Sequence, residues 1–301
     1  MSLLMNWLES LHIDPNITNK CSRRRNRRST CSICSEVCNK GSLSLTEEAI
    51  EINLETCTSC GECMIACPLS AIEGIPTSRE INSGCLIYSD CYTPSVKELL
   101  IYKKRGLAHI RVNTSRLNEN WEQTINEANH QLTLLGQPVL EIVRKSEEKT
   151  FSRRGLFSSL QKEGKQLAKS MTPASWKMNA NDWVLRHYYP DDQFYTVDID
   201  KDKCTFCQAC FSFCAQAVFQ VENESLQIEH QNCVNCRDCY DICPEEAIQI
   251  KPEIKKKENS QLGFHIGECR DCGRAFHTFQ EDKRTCPVCF NRDSGWLSPF
   301  E

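Results

Sequence analysis

The constraint that dominates this chain is the spacing of its cysteines. Residues 57–68 read CTSCGECMIACP and residues 233–244 read CVNCRDCYDICP. Both follow C-x2-C-x2-C-x3-C-P, through Cys57, Cys60, Cys63 and Cys67, and through Cys233, Cys236, Cys239 and Cys243. A third run, CTFCQACFSFCA, repeats the spacing without proline at Cys204, Cys207, Cys210 and Cys214. Three cysteines at this interval wrap a tight loop whose sulfurs cap one cubane, and the turn carries the fourth cysteine away. The proline that follows fixes φ and has no N–H to donate, so it directs the chain out of the site. Soft thiolates match iron bridged by sulfide. Zinc would need two C-x2-C knuckles at tetrahedral spacing and has no use for a third cysteine and a proline.

The runs come in pairs. Eighteen residues separate Cys214 from Cys233, and eighteen separate Cys38 from Cys57. The equality marks Cys38 as the closing cysteine of a first, altered run, CSICSEVC, which supplies Cys31, Cys34 and Cys38. The slot three residues before Cys31 holds Arg28. Cys21 is the candidate replacement, with SRRRNRRST inserted between, because loop closure entropy grows only with the logarithm of length. The alternative is a three-cysteine [3Fe-4S] site with Cys21 free.

Composition narrows the class. The 301 residues carry 22 cysteines and a net charge of −4, so bulk charge points to neither nucleic acid nor membrane. Clustering at metal-ligand spacing argues for cytoplasmic metal ligation over a disulfide framework. The start, MSLLMNWLESLHI, contains Glu9 and no basic region, and fits an amphipathic helix within residues 1–20 better than a signal peptide. No window approaches the roughly 18 apolar residues of a membrane span. A P-loop, a dinucleotide fingerprint and a Ser-His-Asp arrangement are not legible, so the expectation is a non-catalytic role.

Between the pairs the pattern changes to alternating strands and helices. CLIY, LAHIRV and PVLEIV suggest strands, while SVKELLIYKKRG and NENWEQTINEANHQLTLLG carry helical periodicity. Gly106 and Gly136 sit where helix ends favour glycine. A small parallel sheet with covering helices follows for residues 81–150. Residues 151–200 suggest a basic helix and an aromatic tether, and KPEIKKKENSQ a charged linker. Cys269-x2-Cys272 and Cys286-x2-Cys289, thirteen residues apart, form a four-sulfur set within 262–301.

The paired runs resemble the bacterial-type two-cluster ferredoxins, over about residues 21–73 and again over 202–250, which sets the expected modules at 21–80 and 201–255. In that family the fourth cysteine of each run ligates the other cluster. The resemblance implies one cluster on Cys204, Cys207, Cys210 and Cys243 and another on Cys233, Cys236, Cys239 and Cys214. By the same crossing it implies one on Cys57, Cys60, Cys63 and Cys38 and a fourth on Cys31, Cys34, Cys67 and Cys21. The C-terminal set resembles a zinc ribbon, and CPVC also resembles the rubredoxin-like end of rubrerythrins, where one iron sits in S4. The expected fold class is α+β, with two ferredoxin-like modules flanking a βαβαβ insert, and a four-cysteine ribbon.

These expectations describe a cytoplasmic polyferredoxin with four [4Fe-4S] clusters and one zinc, or a rubredoxin-type iron. It would carry electrons to or from a partner oxidoreductase. SRRGLF at 152–157 resembles the arginine-pair segment of accessory ferredoxins that serve molybdopterin enzymes, such as formate dehydrogenases and relatives of dimethyl-sulfoxide reductases. A maturation factor for a metalloenzyme and an iron–sulfur redox sensor are the other classes. Cys85 and Cys91 lie outside the runs, as a buried small hydrophobe and a thiol near a helix start, or as a redox pair. The run Arg23–Arg25 with Arg27 and Arg28 reads as a solvated face or as a docking patch for an acidic partner.

Overall fold

The structure is a computed structural model describing residues 15–46, 50–75, 79–82, 84–114, 116–144, 180–222 and 224–290. It divides into two compact units: Met1–Thr18, Ile33–Leu45 and Ile50–Tyr188, and Asn19–Ser32, Thr46–Ala49 and Tyr189–Glu301. Residues 19–32, expected with the first ferredoxin module, thus group with the C-terminal half. The expected helices at 1–20 and in the 151–200 segment fall largely outside the described residues, as does SRRGLF. Within 1–20, Asn16–Ile17 is a strand.

The first unit begins with β1 (Asn16–Ile17), which pairs with β4 (Ile72–Glu73), and with the hairpin β2 (Leu43–Leu45)–β3 (Ile50–Ile52). Helix α1 (Glu62–Ala66) buries Cys63, Met64 and Ile65. The following sheet has the order β5 (Ile81–Asn82), β6 (Cys85–Ile87), β7 (His109–Val112), β8 (Glu141–Arg144). β6, β7 and β8 run parallel, and β5 is antiparallel to β6. Parallel neighbours need crossover connections, which are α2 (Val96–Lys104) and α3 (Glu119–Leu134).

Both helices start where the sequence offers a cap. Ser95 Oγ accepts from the Glu98 N–H at 3.2 Å, and Asn118 Oδ1 accepts from the Trp121 N–H at 2.9 Å. The buried stripe of α3 is Trp121, Ile125, Ala128 and Leu132, at intervals of three and four that keep one helical face toward the core. Helix α2 contributes Leu99, Leu100 and Ile101, each fully buried. Such side chains stabilise by about 1.5–3 kcal/mol apiece on burial. Trp121 Nε1 donates to the Tyr92 carbonyl at 2.7 Å, which ties α3 to the loop after β6.

In the second unit, β9 (Asp192–Ile199) pairs antiparallel with β12 (Ile248–Lys256). β10 (Phe219–Glu222), β11 (Ser225–Glu229) and β13 (Asn259–Gly263) form a second sheet, and β14 (His265–Glu268) and β15 (Ala275–Thr278) a hairpin. Between them lie α4 (Ala209–Phe213) and α5 (Asp238–Ile242). The core is Val197, Phe206, Val218, Phe219, Leu226, Ile228, Ile248 and Phe264.

Two segments differ from expectation. The aromatic tether contributes most of β9, and the charged linker contributes the end of β12 and the start of β13. Ile248 and Ile250 face inward in alternation, while the intervening charges find partners on the surface. Lys251 pairs with Asp198 at 3.1 Å and Lys256 with Asp192 at 2.8 Å. No helix among the described residues is long and apolar enough to cross a membrane.

Candidate metal centres

The four cysteine runs share a backbone device that the spacing alone does not reveal. Each closing thiol accepts a hydrogen bond from the N–H four residues on. Ser42 donates to Cys38 Sγ at 3.3 Å and Ala71 to Cys67 Sγ at 3.3 Å. Val218 donates to Cys214 Sγ at 3.5 Å and Ala247 to Cys243 Sγ at 3.4 Å. The chain achieves each bond by entering the left-handed region at the third residue after the cysteine: Gly41, Ser70, Ala217 and Glu246, with φ between 50° and 61°. N–H donors to sulfur stabilise the thiolate form a cluster requires.

The three complete runs share a second device. The residues before the second cysteine and after it are left-handed: Ser59 and Gly61, Phe206 and Gln208, Asn235 and Arg237. Only one of the six is glycine, so five side chains occupy a region that costs a non-glycine residue about 1–2 kcal/mol. Such strain persists where the surroundings over-determine it. The altered N-terminal run lacks the device. Ile33–Glu36 is a single helical turn with no left-handed residue, so Cys31 and Cys34 are not held by the three-cysteine loop.

Three of the four closing cysteines cross over in space, each lining a cavity with the partner run. A cavity of about 440 Å³ is lined by Cys204, Cys207, Cys210 and Cys243, together with Phe206, Leu226 and Ile248. A second, of about 310 Å³, is lined by Cys214, Cys233, Cys236 and Cys239. In the first unit a cavity of about 550 Å³ is lined by Cys38, Cys57, Cys60 and Cys63, and also by Cys91. Cys34 is buried and Cys67 half-buried in that unit, whereas Cys21 is buried and Cys31 half-buried in the other.

Burial raises six of the thiols in the complete runs: Cys63, Cys204, Cys210, Cys233, Cys236 and Cys239. Desolvation, with repulsion from Cys60, Cys34 and Cys38, pushes Cys63 up to about 12. Desolvation pushes Cys233 up to about 11 and Cys236 to about 12, and moves Cys210 and Cys239 upward as well. Four thiolates facing one apolar cavity are unfavourable without a cationic centre, and metal binding here must release protons. The all-sulfur donor sets fit iron–sulfur clusters on that ground.

The C-terminal set is different in kind. Cys269, Cys272, Cys286 and Cys289 bring their sulfurs within 4.8 Å of one another, the one such group of three or more potential ligands among the described residues. Cys272 and Cys286 sulfurs are 3.9 Å apart. Metal–sulfur bonds of about 2.3 Å in tetrahedral geometry put sulfurs about 3.8 Å apart, so this set fits a single ion. The Cys286 N–H donates to Cys269 Sγ at 3.3 Å and lowers that thiol to about 6, while neighbouring thiols raise Cys289 to about 12.

Three supporting side chains carry no motif. Arg79 donates to the Cys60 carbonyl at 3.1 Å and is paired, two bonds at 2.6 and 3.2 Å, with buried Glu98 on α2. Lys97 Nζ donates to the Ile65 and Cys67 carbonyls at 2.7 and 3.3 Å, at the end of α1. Burial lowers Lys97 to about 8. The insert thereby grips the first cysteine module through one helix start. No spacing rule could have singled these out.

The arginine run is only partly a solvated face. Arg25 reaches Asp238 on α5 at 3.3 Å and the Phe213 carbonyl at 2.5 Å. Thr30 bonds both carboxylate oxygens of Asp241, at 2.8 and 2.9 Å. Arg23 Nε donates to the Cys31 carbonyl at 2.5 Å, closing the inserted loop on itself.

Comparison with known proteins agrees with the cysteine geometry. Family descriptions of the 4Fe-4S dicluster domain match residues 27–71, 196–244 and 232–278. The chain carries 4Fe-4S dicluster domains. The last two matches overlap at 232–244; of the pairings they imply, the cavities place Cys243 beside Cys204–Cys210, not beside Cys269 and Cys272. Over 43 residues the chain is also 44% identical to one component of the ion-translocating oxidoreductase complex of Methanosarcina acetivorans. That stretch spans 14% of this chain and 16% of the relative.

Proposed function

We propose that this protein is a polyferredoxin that carries single electrons to or from a partner oxidoreductase through four [4Fe-4S] clusters. One observation carries the reading: each closing cysteine holds the same i+4 N–H···S bond, and three cavities are each walled by three cysteines of one run and the closing cysteine of its partner. Three clusters take the sets at those cavities. The fourth, on Cys31, Cys34, Cys67 and Cys21, rests on the resemblance to the two-cluster ferredoxins, with Cys21 standing in for the ligand whose slot holds Arg28. Clusters of this kind supply reversible one-electron chemistry, with potentials set by hydrogen bonds to sulfur and by burial. This chain contributes those N–H donors, the apolar walls, and a loop geometry fixed by left-handed residues.

The partner is proposed as the catalytic component of an oxidoreductase. The arginine pair at 153–154 favours a molybdopterin enzyme, and the similarity to one component of an oxidoreductase complex agrees with a place in a larger redox assembly. The C-terminal set is assigned to structural zinc, which does no redox and braces the ribbon beside the second module. Anaerobically reconstituted protein is expected to hold about sixteen irons and sixteen sulfides, with one zinc, and to take up electrons reversibly from dithionite. A plateau at about eight irons after full reconstitution would remove the four-cluster reading.

A further inference from the structure

Of the three cavities walled by four cysteines, only one has a fifth thiol. Cys91 lines the space bounded by Cys38, Cys57, Cys60 and Cys63, and its side chain is exposed. The cavities of the second unit contain four cysteines each and no other. Cys91 belongs to no C-x2-C run and lies 24 positions past Cys67 in the chain.

Its position is held from both following residues. The backbone of Thr93 faces the carboxylate of Glu62, the residue next to Gly61 and two past Cys60. The ring of Tyr92 lies under the Arg79 guanidinium, 3.8 Å from its centroid, and Arg79 in turn donates to the Cys60 carbonyl at 3.1 Å. The Tyr92 carbonyl is itself held by Trp121. On the other side, the Cys91 N–H is taken by Ser89 Oγ at 3.2 Å. The segment carrying Cys91 is therefore fastened beside Cys60 and the start of α1, and Cys91 lines the same space as the four cysteines.

We infer that Cys91 is a reserve ligand of this cluster site, able to take the iron corner of Cys60. The inference rests on the proposed cluster at Cys38, Cys57, Cys60 and Cys63. The exchange is a ligand substitution without redox change: the Cys91 thiol releases its proton as its sulfur binds iron, and the departing Cys60 thiolate takes up a proton. A site that keeps four thiolates while one is displaced or oxidised retains its fourth iron, where an ordinary site falls to a three-iron form. The device would sit where the site opens to solvent, because Cys91 is exposed while Cys63 is buried.

The test compares Cys91→Ala, Cys60→Ala and the double variant, each reconstituted anaerobically as the full chain. The readouts are iron and sulfide content, the three-iron signal in electron paramagnetic resonance, and iodoacetamide labelling of Cys91 read by mass spectrometry. Cys91→Ala is expected to keep the wild-type iron content. Cys60→Ala should also keep it, while its Cys91 becomes protected from labelling, and the double variant should lose at least one iron per chain. If Cys60→Ala loses the same iron as the double variant and its Cys91 labels as in wild type, the reserve role is overturned and the cluster assignment stands. If the double variant keeps the full wild-type iron content, the cluster assignment at this site is itself wrong and the inference goes with it.

Discussion

Removing the Glu98 carboxylate strands a guanidinium beside a cluster loop. The Arg79 side chain is 2% exposed and that of Glu98 1%, and they share two hydrogen bonds. Arginine does not shed its proton in a protein, so Glu98→Ala leaves a buried charge with the Cys60 carbonyl, the face of Tyr92 and the more distant Glu62 carboxylate as neighbours. Breaking one side of a buried pair costs about 3–5 kcal/mol, a large share of the roughly 5–15 kcal/mol that holds a domain together. Replacing both members, Arg79→Met with Glu98→Leu, removes the stranded charge. It forfeits the bond to the Cys60 carbonyl, about 1.5–3 kcal/mol for a charged donor. The double variant is therefore expected to be more stable than Glu98→Ala alone. Anaerobic urea unfolding of the loaded protein measures the cost, and hydrogen exchange with mass spectrometry locates it. Peptides covering residues 57–67 and 96–104 should lose protection, while those covering 233–243 should not. A cost below about 1 kcal/mol, against the 3–5 expected for a buried pair, would refute the argument. So would equal loss of protection in the second module, or a double variant less stable than the single.

Two further expectations concern the second unit. Cys243→Ser should alter the same spectral component as Cys210→Ser and leave the component lost in Cys239→Ser, because Cys243 shares its cavity with Cys204, Cys207 and Cys210; the opposite pairing would mean that each run ligates locally. His230 is buried, accepts from the Val197 N–H through Nδ1 and meets Ser260 Oγ through Nε2, and burial lowers it from its ordinary 6.5. Below pH 6.5 the unfolded chain gains a proton that the folded chain does not, so stability should fall as pH drops from 6.5 toward the depressed folded value. His230→Gln should flatten that slope in urea titrations, and an unchanged slope would contradict the assignment.

Covalent spacing determined what the sequence alone could reveal. C-x2-C-x2-C wraps a loop over a few bonds, so the runs at 57–67, 204–214 and 233–243 and the four-cysteine set at 269–289 were legible as candidate ligands. The caps at Ser95 and Asn118 and the stripe from Trp121 to Leu132 are equally local, and α2 and α3 follow them. Pairing across the chain was not legible. The charged segment around Lys255 became strand because β9 and β11 were available to pair with it, and strand pairing is a long-range event that a charge run does not announce. Left-handed backbone at Phe206, Gln208, Asn235 and Arg237 carries no glycine to mark it; the folded loop imposes it. Arg79, Glu98, Lys97 and Cys91 reach the first module from 12 or more positions beyond Cys67. Their roles exist only because the packed insert brings them back to the cysteine loops, where a buried charge must find its partner and an exposed thiol finds four others.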